Sequence, residues 1–259
     1  ISLGFAAWLQ VSRRLWVYSI VRFRETHRPG RIIVNDESIR ELHRRRTASS
    51  WRGRLRRFLS PPLPYVLNPD ELSIDAPLGR WNLYIGGAGA RPEGYLNLDL
   101  FPLPGVDLAA DAEHLPFPDG VFQRIECDAV LEHVERPEAI LLEMERALKP
   151  GGFLHIVVPF AHPFHEYPRD YRRFTIDALL LMNPGLKAVK HGWRTGPTAT
   201  LLVFLLEYAK LWAPRPLRPV AHGVLGWLLF PLRYLDLLLL RNPRARQIGN
   251  HCYVWFQKG

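Results

Sequence analysis

With 259 residues, 47% hydrophobic and 23% charged, the chain has the material for one sizeable α/β core plus attachments, which excludes a low-complexity or fibrous class. Two cysteines, Cys127 and Cys252, exclude a disulfide framework and read as buried small hydrophobes, as fits a reducing compartment. The net charge of +9 is unevenly placed: residues 1–60 hold 14 Arg against 4 acids, residues 61–150 hold 16 acids against 6 basic residues, and the remainder is basic again, so an acidic core sits between flanks suited to an anionic neighbour, membrane phosphate or nucleic acid.

The chain begins at Ile1 without Met, and its first twenty residues mix apolar positions with Arg13 and Arg14. They read as an amphipathic helix rather than a signal peptide or a spanning segment. From Arg22 to Leu59 the sequence is arginine-rich, with RELHRRR and WRGRLRRFL densest, and Asn35 or Asp36 is placed to cap a helix through Ile39 and Leu42. Such a helix is either a solvated face or a phosphate-binding one. Pro61, Pro62 and Pro64 break this arm, and residues 60–79 read as a linker laid across the core.

Residues 81–85 (WNLYI) predict a short buried strand, the glycines at 86, 87 and 89 a tight turn, and Tyr95–Leu100 a second strand ending on Asp99. Strand, glycine turn and an acid closing the next strand make a nucleotide-shaped site, because the turn exposes backbone N–H groups and the carboxylate can accept ribose hydroxyls. A third strand is expected from near Val106 to Asp111 and Ala112, a turn at Asp119–Gly120, a fourth strand over Arg124–Cys127, and an active-site loop over Asp128–Glu135. Pro137 suits the first position of a helix whose apolar face is Ile140, Leu141, Met144 and Leu148, ended by Pro150-Gly151-Gly152. Phe153–Val158 is apolar and β-branched, a central fifth strand.

PFAHPFHEYPRDYRRFT is the chemically densest segment and follows the carboxyl end of that strand, where open α/β sheets bind ligands. His162, His165 and Asp170 could ligate a metal, but no regular helix or cysteine fixes their geometry, and no metal is expected. A structural reading pairs Asp170 with Arg173 and uses Thr175 to cap a helix over Ile176–Met182, and it leaves the histidines unexplained. Leu186–Trp193 predicts a sixth strand and NHCYVWFQK a seventh. About 55 residues separate them, with apolar stretches Thr198–Trp212 and Val220–Leu240. Glu207, Lys210, Arg233 and Asp236 interrupt these stretches, so they suit a membrane interface, or packing on each other or a second subunit, better than a transmembrane span.

Four ordered blocks, the glycine turn, DAEHLPF, LEHV and LKPGGFL, resemble the class I S-adenosylmethionine-dependent methyltransferases of the small-molecule and lipid type over roughly Trp81 to Leu181. The resemblance implies a Rossmann-like, mostly parallel sheet with its last strand antiparallel, carrying a basic helical arm (1–79), a core (80–193), an apolar helical insertion (194–250) and a final strand (251–259). It implies S-adenosylmethionine as cofactor, with Gly86, Gly87 and Gly89 at its methionine and ribose end, Asp99 and Leu100 at the ribose, Asp111 and Ala112 at adenine, and Asp128 nearby. Tyr84 stands where the family commonly has an acid, and Ala88 where it has a glycine. Tyr84 either faces the sulfonium through its ring or simply packs.

For a hydroxyl acceptor the favoured base is His165, then His133, with Asp170 orienting an imidazole. His162, Tyr171, Arg172 and Arg173 are assigned to the acceptor, the arginines to a carboxylate or phosphate. H-x-Y-P-x-D-Y-x-R-x-T is similar to bacterial methyltransferases of polysaccharide and glycolipid assembly. The expected reaction is therefore O-methylation of a saccharide or of a lipid-linked or amphiphilic molecule, in the cytoplasm at the inner membrane face, with residues 1–60 and 198–246 touching lipid. Alternatives are a quinone or aromatic-metabolite methyltransferase, and a catalytically silent scaffold. RNA methylation is disfavoured because CDAVLEHV lacks an N/D-P-P-Y/F block.

Overall fold

The structure, a computed structural model, describes residues 60–87, 92–166 and 169–259. The arginine-rich arm before residue 60 and Gly89 lie outside the described residues. Seven strands form one sheet in the order β3-β2-β1-β4-β5-β7-β6. They are β1 (Asn82–Ile85), β2 (Leu96–Asp99), β3 (Leu108–Ala109), β4 (Phe122–Asp128), β5 (Leu148–Pro159), β6 (Leu186–Thr195) and β7 (His251–Lys258). The first five are parallel, and β7 runs antiparallel between β5 and β6. The expected Rossmann-like sheet with a reversed last strand is the observed one.

Local chemistry accounts for the helices. In α1 (Pro137–Ala147) the proline occupies the first position, where its missing N–H costs nothing, and Ile140, Leu141 and Met144 are buried. The Thr175 side chain accepts the Ala178 N–H at 3.1 Å to start α2 (Ile176–Met182). The third strand stops at Ala109, short of the expected Ala112. Asp111 cannot extend it because its carboxylate turns back to accept the Glu113 N–H at 2.9 Å, capping a short 3-10 turn.

Among the described residues, neither connection 86–95 nor 100–107 carries a helix. Both are shorter than the dozen or so residues a helical crossover between parallel strands needs. Residues 67–76 cover part of one sheet face instead. Ala76 and Ile74 pack against Phe153, Val157, Tyr253 and Trp255, the Asn68 N–H donates to the Arg194 carbonyl at 2.8 Å, and the Trp255 indole N–H donates to the Glu71 carbonyl at 2.9 Å. This stretch is as much part of the core as the strands it crosses.

Between β6 and β7 lie α3 (Pro197–Trp212), α4 (Arg218–Leu229) and the short α5 (Leu235–Leu238). The second apolar stretch is not one helix: at Pro231, which has no N–H to donate, it tightens into a 3-10 segment, Phe230–Tyr234. Helix α3 buries Thr198, Ala199, Leu202 and Leu206 but exposes Leu201, Phe204, Leu205, Tyr208, Leu211 and Trp212, a second apolar stripe at helical spacing. Among the described residues no helix is long and apolar enough to cross a membrane.

The buried Asp236 ties this insertion down. Its two carboxylate oxygens accept the Thr198 and Ala199 N–H groups at 2.8 and 3.1 Å, and a Cβ on Gly196 would sit 2.5 Å from its carboxyl carbon. Asp236→Ala leaves two N–H groups at the start of α3 without acceptors, so a loss of about 2 kcal/mol is expected. At roughly 2–4 °C per kcal/mol this lowers the melting temperature by roughly 4–8 °C in a thermal scan.

Candidate active site

The carboxyl ends of β1, β2 and β4 meet at one edge. Gly86 leaves β1 at φ +78°, and its N–H donates to the Leu98 carbonyl at 2.9 Å. A Cβ there would come within 2.1 Å of Val130 Cγ2, so glycine is required both for the turn and for close approach of the loop after β4. That loop opens with Ala129 at φ 54°, an unusual conformation for a side-chain-bearing residue, held by its N–H to the Val157 carbonyl at 2.9 Å.

Asp99 ends β2, and its Oδ1 accepts the Phe101 N–H at 3.1 Å. Leu100 is exposed beside it, while Ala112 is buried behind Asp111. The donor set fits an adenosyl ligand: carboxylates at the end of β2 and just after the neighbouring β3, and Gly86 and Gly87, which carry no side chain, directly after β1. Tyr84 packs edge-to-face on Tyr95 with centroids 6.1 Å apart, so it has a structural partner. Burial, then the nearby Asp128 and Glu126 charges, push its phenol far above the ordinary range. Asp128 is ion-paired with Arg194 at 3.1 Å, a β6 residue that the sequence did not flag.

The segment 160–175 folds back onto the turn after β4. Arg173 is its hub: it donates to Asp170 at 2.5 and 2.7 Å and to the carbonyls of His162, Pro163 and Arg172. Arg172 donates to the Val134 and Glu135 carbonyls at 2.7 and 2.9 Å, and Tyr171 is partly exposed with its hydroxyl 3.1 Å from Glu135. Both arginines are therefore engaged in holding the loop, and an acceptor anion would compete with these bonds. The Arg173 guanidinium also holds the Asp170 carboxyl down at about 2.

This clamp gathers the histidines. Ring centroids of His133 and His165 are 4.9 Å apart, His165 and His162 4.6 Å, and His162 and His251 5.0 Å. His133 Nδ1 lies 2.5 Å from the Arg169 carbonyl, which only accepts, so Nδ1 carries the proton and Nε2 the lone pair of the neutral ring. Asp170 Oδ2 accepts the His165 backbone N–H at 2.7 Å and lies 3.5 Å from its Nδ1. Burial is the main cause that lowers the His133, His162 and His165 imidazoles, and with His162 it takes His251 to about 3.

Beneath the pair is Glu132, fully buried, which the sequence reading missed. Its Oε1 lies 3.7 Å from His133 Nε2 and 3.8 Å from His165 Nε2, and neither carboxylate oxygen has a hydrogen-bond partner. Burial, reinforced by the Asp128 and Asp170 charges, raises its carboxyl to about 8. An acid inside LEHV was the available signal, but nothing local to the block says that it points inward.

Residues 99–156 match the family model described as Methyltransferase domain, in agreement with the resemblance read from the sequence blocks. A demethylmenaquinone methyltransferase of Renibacterium salmoninarum is 33% identical over 148 residues, 56% of this chain and 58% of that protein. A ubiquinone/menaquinone biosynthesis C-methyltransferase UbiE of Shewanella frigidimarina is 38% identical over 87 residues, 34% of this chain and 32% of that protein. The chain thus spans about half or less of the curated relatives' length. Among solved structures, a 1,6-didemethyltoxoflavin-N1-methyltransferase from Burkholderia thailandensis aligns at 14% identity with a TM-score of 0.42, over 69% of this chain and 70% of that one. The sheet order and the matched segment agree with the class I methyltransferase core that the sequence blocks resemble, and S-adenosylmethionine is the cofactor that this resemblance implies.

Proposed function

We propose that the protein is an S-adenosylmethionine-dependent methyltransferase that methylates an oxygen of a saccharide, or of a lipid-linked or amphiphilic small molecule, at a membrane surface. The observation that carries this reading is the pair His133–His165, whose rings stand 4.9 Å apart just beyond the carboxyl end of β4, the strand beside the Gly86 turn. Gly86, Gly87, Asp99, Leu100, Asp111 and Ala112 would hold the donor, which supplies an electrophilic methyl group when bound. The protein's part is to hold the acceptor in line and to take its proton. His165 takes the proton, His133 stands beside it as second base, and Asp170 fixes the backbone and Nδ1 side of His165. His162 and Tyr171 line the acceptor side.

The outer stripe of α3, with exposed Val220, Val224, Trp227 and Leu228 on α4 and the arginines 215, 218, 241, 244 and 246, supports lipid as the neighbouring phase. The placement proposed is the cytoplasmic face of the inner membrane. A second reading, methylation of a quinone carbon, is favoured by the aligned relatives, whose names specify quinone substrates.

The test is transfer of labelled methyl from S-adenosylmethionine to lipid-linked saccharides and to demethylated quinones, with anionic liposomes present. Label in a saccharide, reduced roughly 100-fold or more by His165→Ala, is the expected result. Label confined to the quinone establishes the second reading. Absence of donor binding by folded protein leaves a scaffold.

A further inference from the structure

Glu132, His133 and His165 bring three ligand atoms within 4.8 Å of one another. A buried carboxylate with no hydrogen-bond partner is costly, because the water it gave up has not been replaced. Two imidazole Nε2 atoms lie 3.7 and 3.8 Å from its Oε1, beyond hydrogen-bond reach. Those separations are near the roughly 3.4 Å between ligand atoms around a tetrahedral ion with bonds of about 2.0–2.1 Å. The His133 ring is also turned as a metal ligand is turned. His133 Nδ1 is held by the Arg169 carbonyl, which leaves its Nε2 on the side of Glu132, while His165 Nδ1 lies 3.5 Å from both Asp170 Oδ2 and Arg173 Nη2 and its Nε2 is 3.8 Å from Glu132 Oε1.

We propose that Glu132, His133 and His165 form a three-ligand site for a divalent transition-metal cation, Zn2+ or Co2+, and that this cation competes with the acceptor's proton for the same imidazole lone pairs. Two imidazoles with one carboxylate select such ions over Mg2+ or Ca2+, which prefer oxygen-only surroundings. Three protein ligands leave at least one coordination position for water or an inhibitor. Cation binding stands on the geometry alone. The competition rests on the proposed role of His165 as base, and a loaded site is then an inhibited one.

The experiment is titration of the purified, chelator-treated protein with Co2+, followed by visible d–d absorption, with S-adenosylhomocysteine binding measured in parallel. A one-to-one Co2+ band displaced by Zn2+ is expected, weakened at least tenfold in Glu132→Gln and in His165→Gln while both variants still bind S-adenosylhomocysteine. Protein that binds S-adenosylhomocysteine but gives no band overturns the cation site and leaves the methyltransferase reading standing. A band unchanged in both variants overturns the ligand assignment. Co2+ binding without S-adenosylhomocysteine binding sinks the methyltransferase reading and leaves the site. Stoichiometric Zn2+ is expected to lower methyl transfer, and transfer that is unchanged or increased overturns the competition.

Discussion

Asp99→Ala is expected to weaken S-adenosylhomocysteine binding by about 100-fold or more. A carboxylate accepting two ribose hydroxyls contributes about 1.5–3 kcal/mol per charge-assisted bond, and each 1.4 kcal/mol is about tenfold in affinity. Asp99 has a second duty, since its Oδ1 accepts the Phe101 N–H at 3.1 Å and so shapes the turn after β2. The alanine variant removes both. Asp99→Asn separates them, because an amide oxygen still accepts from Phe101 while the charge is gone, and a loss of about tenfold is expected there. Calorimetric titration reads both values, and a thermal scan without ligand should move little in the asparagine variant. Wild-type affinity in Asp99→Ala would take the ribose away from Asp99, and with it the nucleotide-shaped reading of the β1–β2 turn.

What the sequence made legible is what depends on near neighbours. Pro137 at the first position of α1, Thr175 capping α2 and the continuous apolar run that makes β7 a buried strand are set by residues a few places apart, and all stand where expected. The end of the third strand was misplaced because Asp111 chose a local backbone bond over the ladder, a competition that pattern alone does not decide. The candidate site was legible as a list and not as an arrangement. His133 and His165 were named, but the clamp that joins them runs from Arg172 to the Val134 and Glu135 carbonyls and from the Tyr171 N–H to the Glu132 carbonyl, contacts between distant parts of the chain. Glu132 and Arg194 were missed for the same reason. An acid in a loop block and an arginine on an edge strand carry no local sign of a role, which comes only when the fold buries the first and brings the second 3.1 Å from Asp128.

A second buried charge network was hidden in the same way. His155 lies on β5 with Nδ1 3.3 Å from Glu126 Oε2, and its Nε2 is 3.1 Å from Glu71 Oε1, an ion-pair contact without hydrogen-bond alignment. Its ring stacks on Trp255 at 4.0 Å. Arg124 and Tyr95 reach Glu126 at 2.5 and 2.7 Å, and Arg194 reaches Glu71 at 3.2 Å. Burial works against a charged imidazole here, yet Glu126 and Glu71 outweigh it, and the His155 pKa is raised above its ordinary 6.5. Burial likewise opposes the Glu126 charge, but His155 and Arg124 prevail and lower it from 4.5 to about 2. The cation on His155 therefore joins the linker acid Glu71 to the β4 acid Glu126 across the sheet face.

His155→Phe should keep the stack on Trp255 and remove the charge between the carboxylates. Breaking a buried pair from one side costs about 3–5 kcal/mol, and because Arg124 and Arg194 remain, the low end is expected. That corresponds to roughly 6–12 °C in melting temperature. The pH dependence identifies the cause. His155 contributes fully below 6.5 and loses its contribution as pH rises through its raised folded value, while Glu126 contributes above 4.5 and loses it as pH falls toward about 2. The deficit of the variant should therefore be greatest between 4.5 and 6.5 and should shrink as pH rises through the raised folded value of His155. Thermal scans at a series of pH values upward from about 6 follow this. A deficit that does not shrink anywhere in the series would mean that His155 acts by packing on Trp255 and not by its charge, and the linker would then be held by the contacts of Ala76 and Ile74 instead.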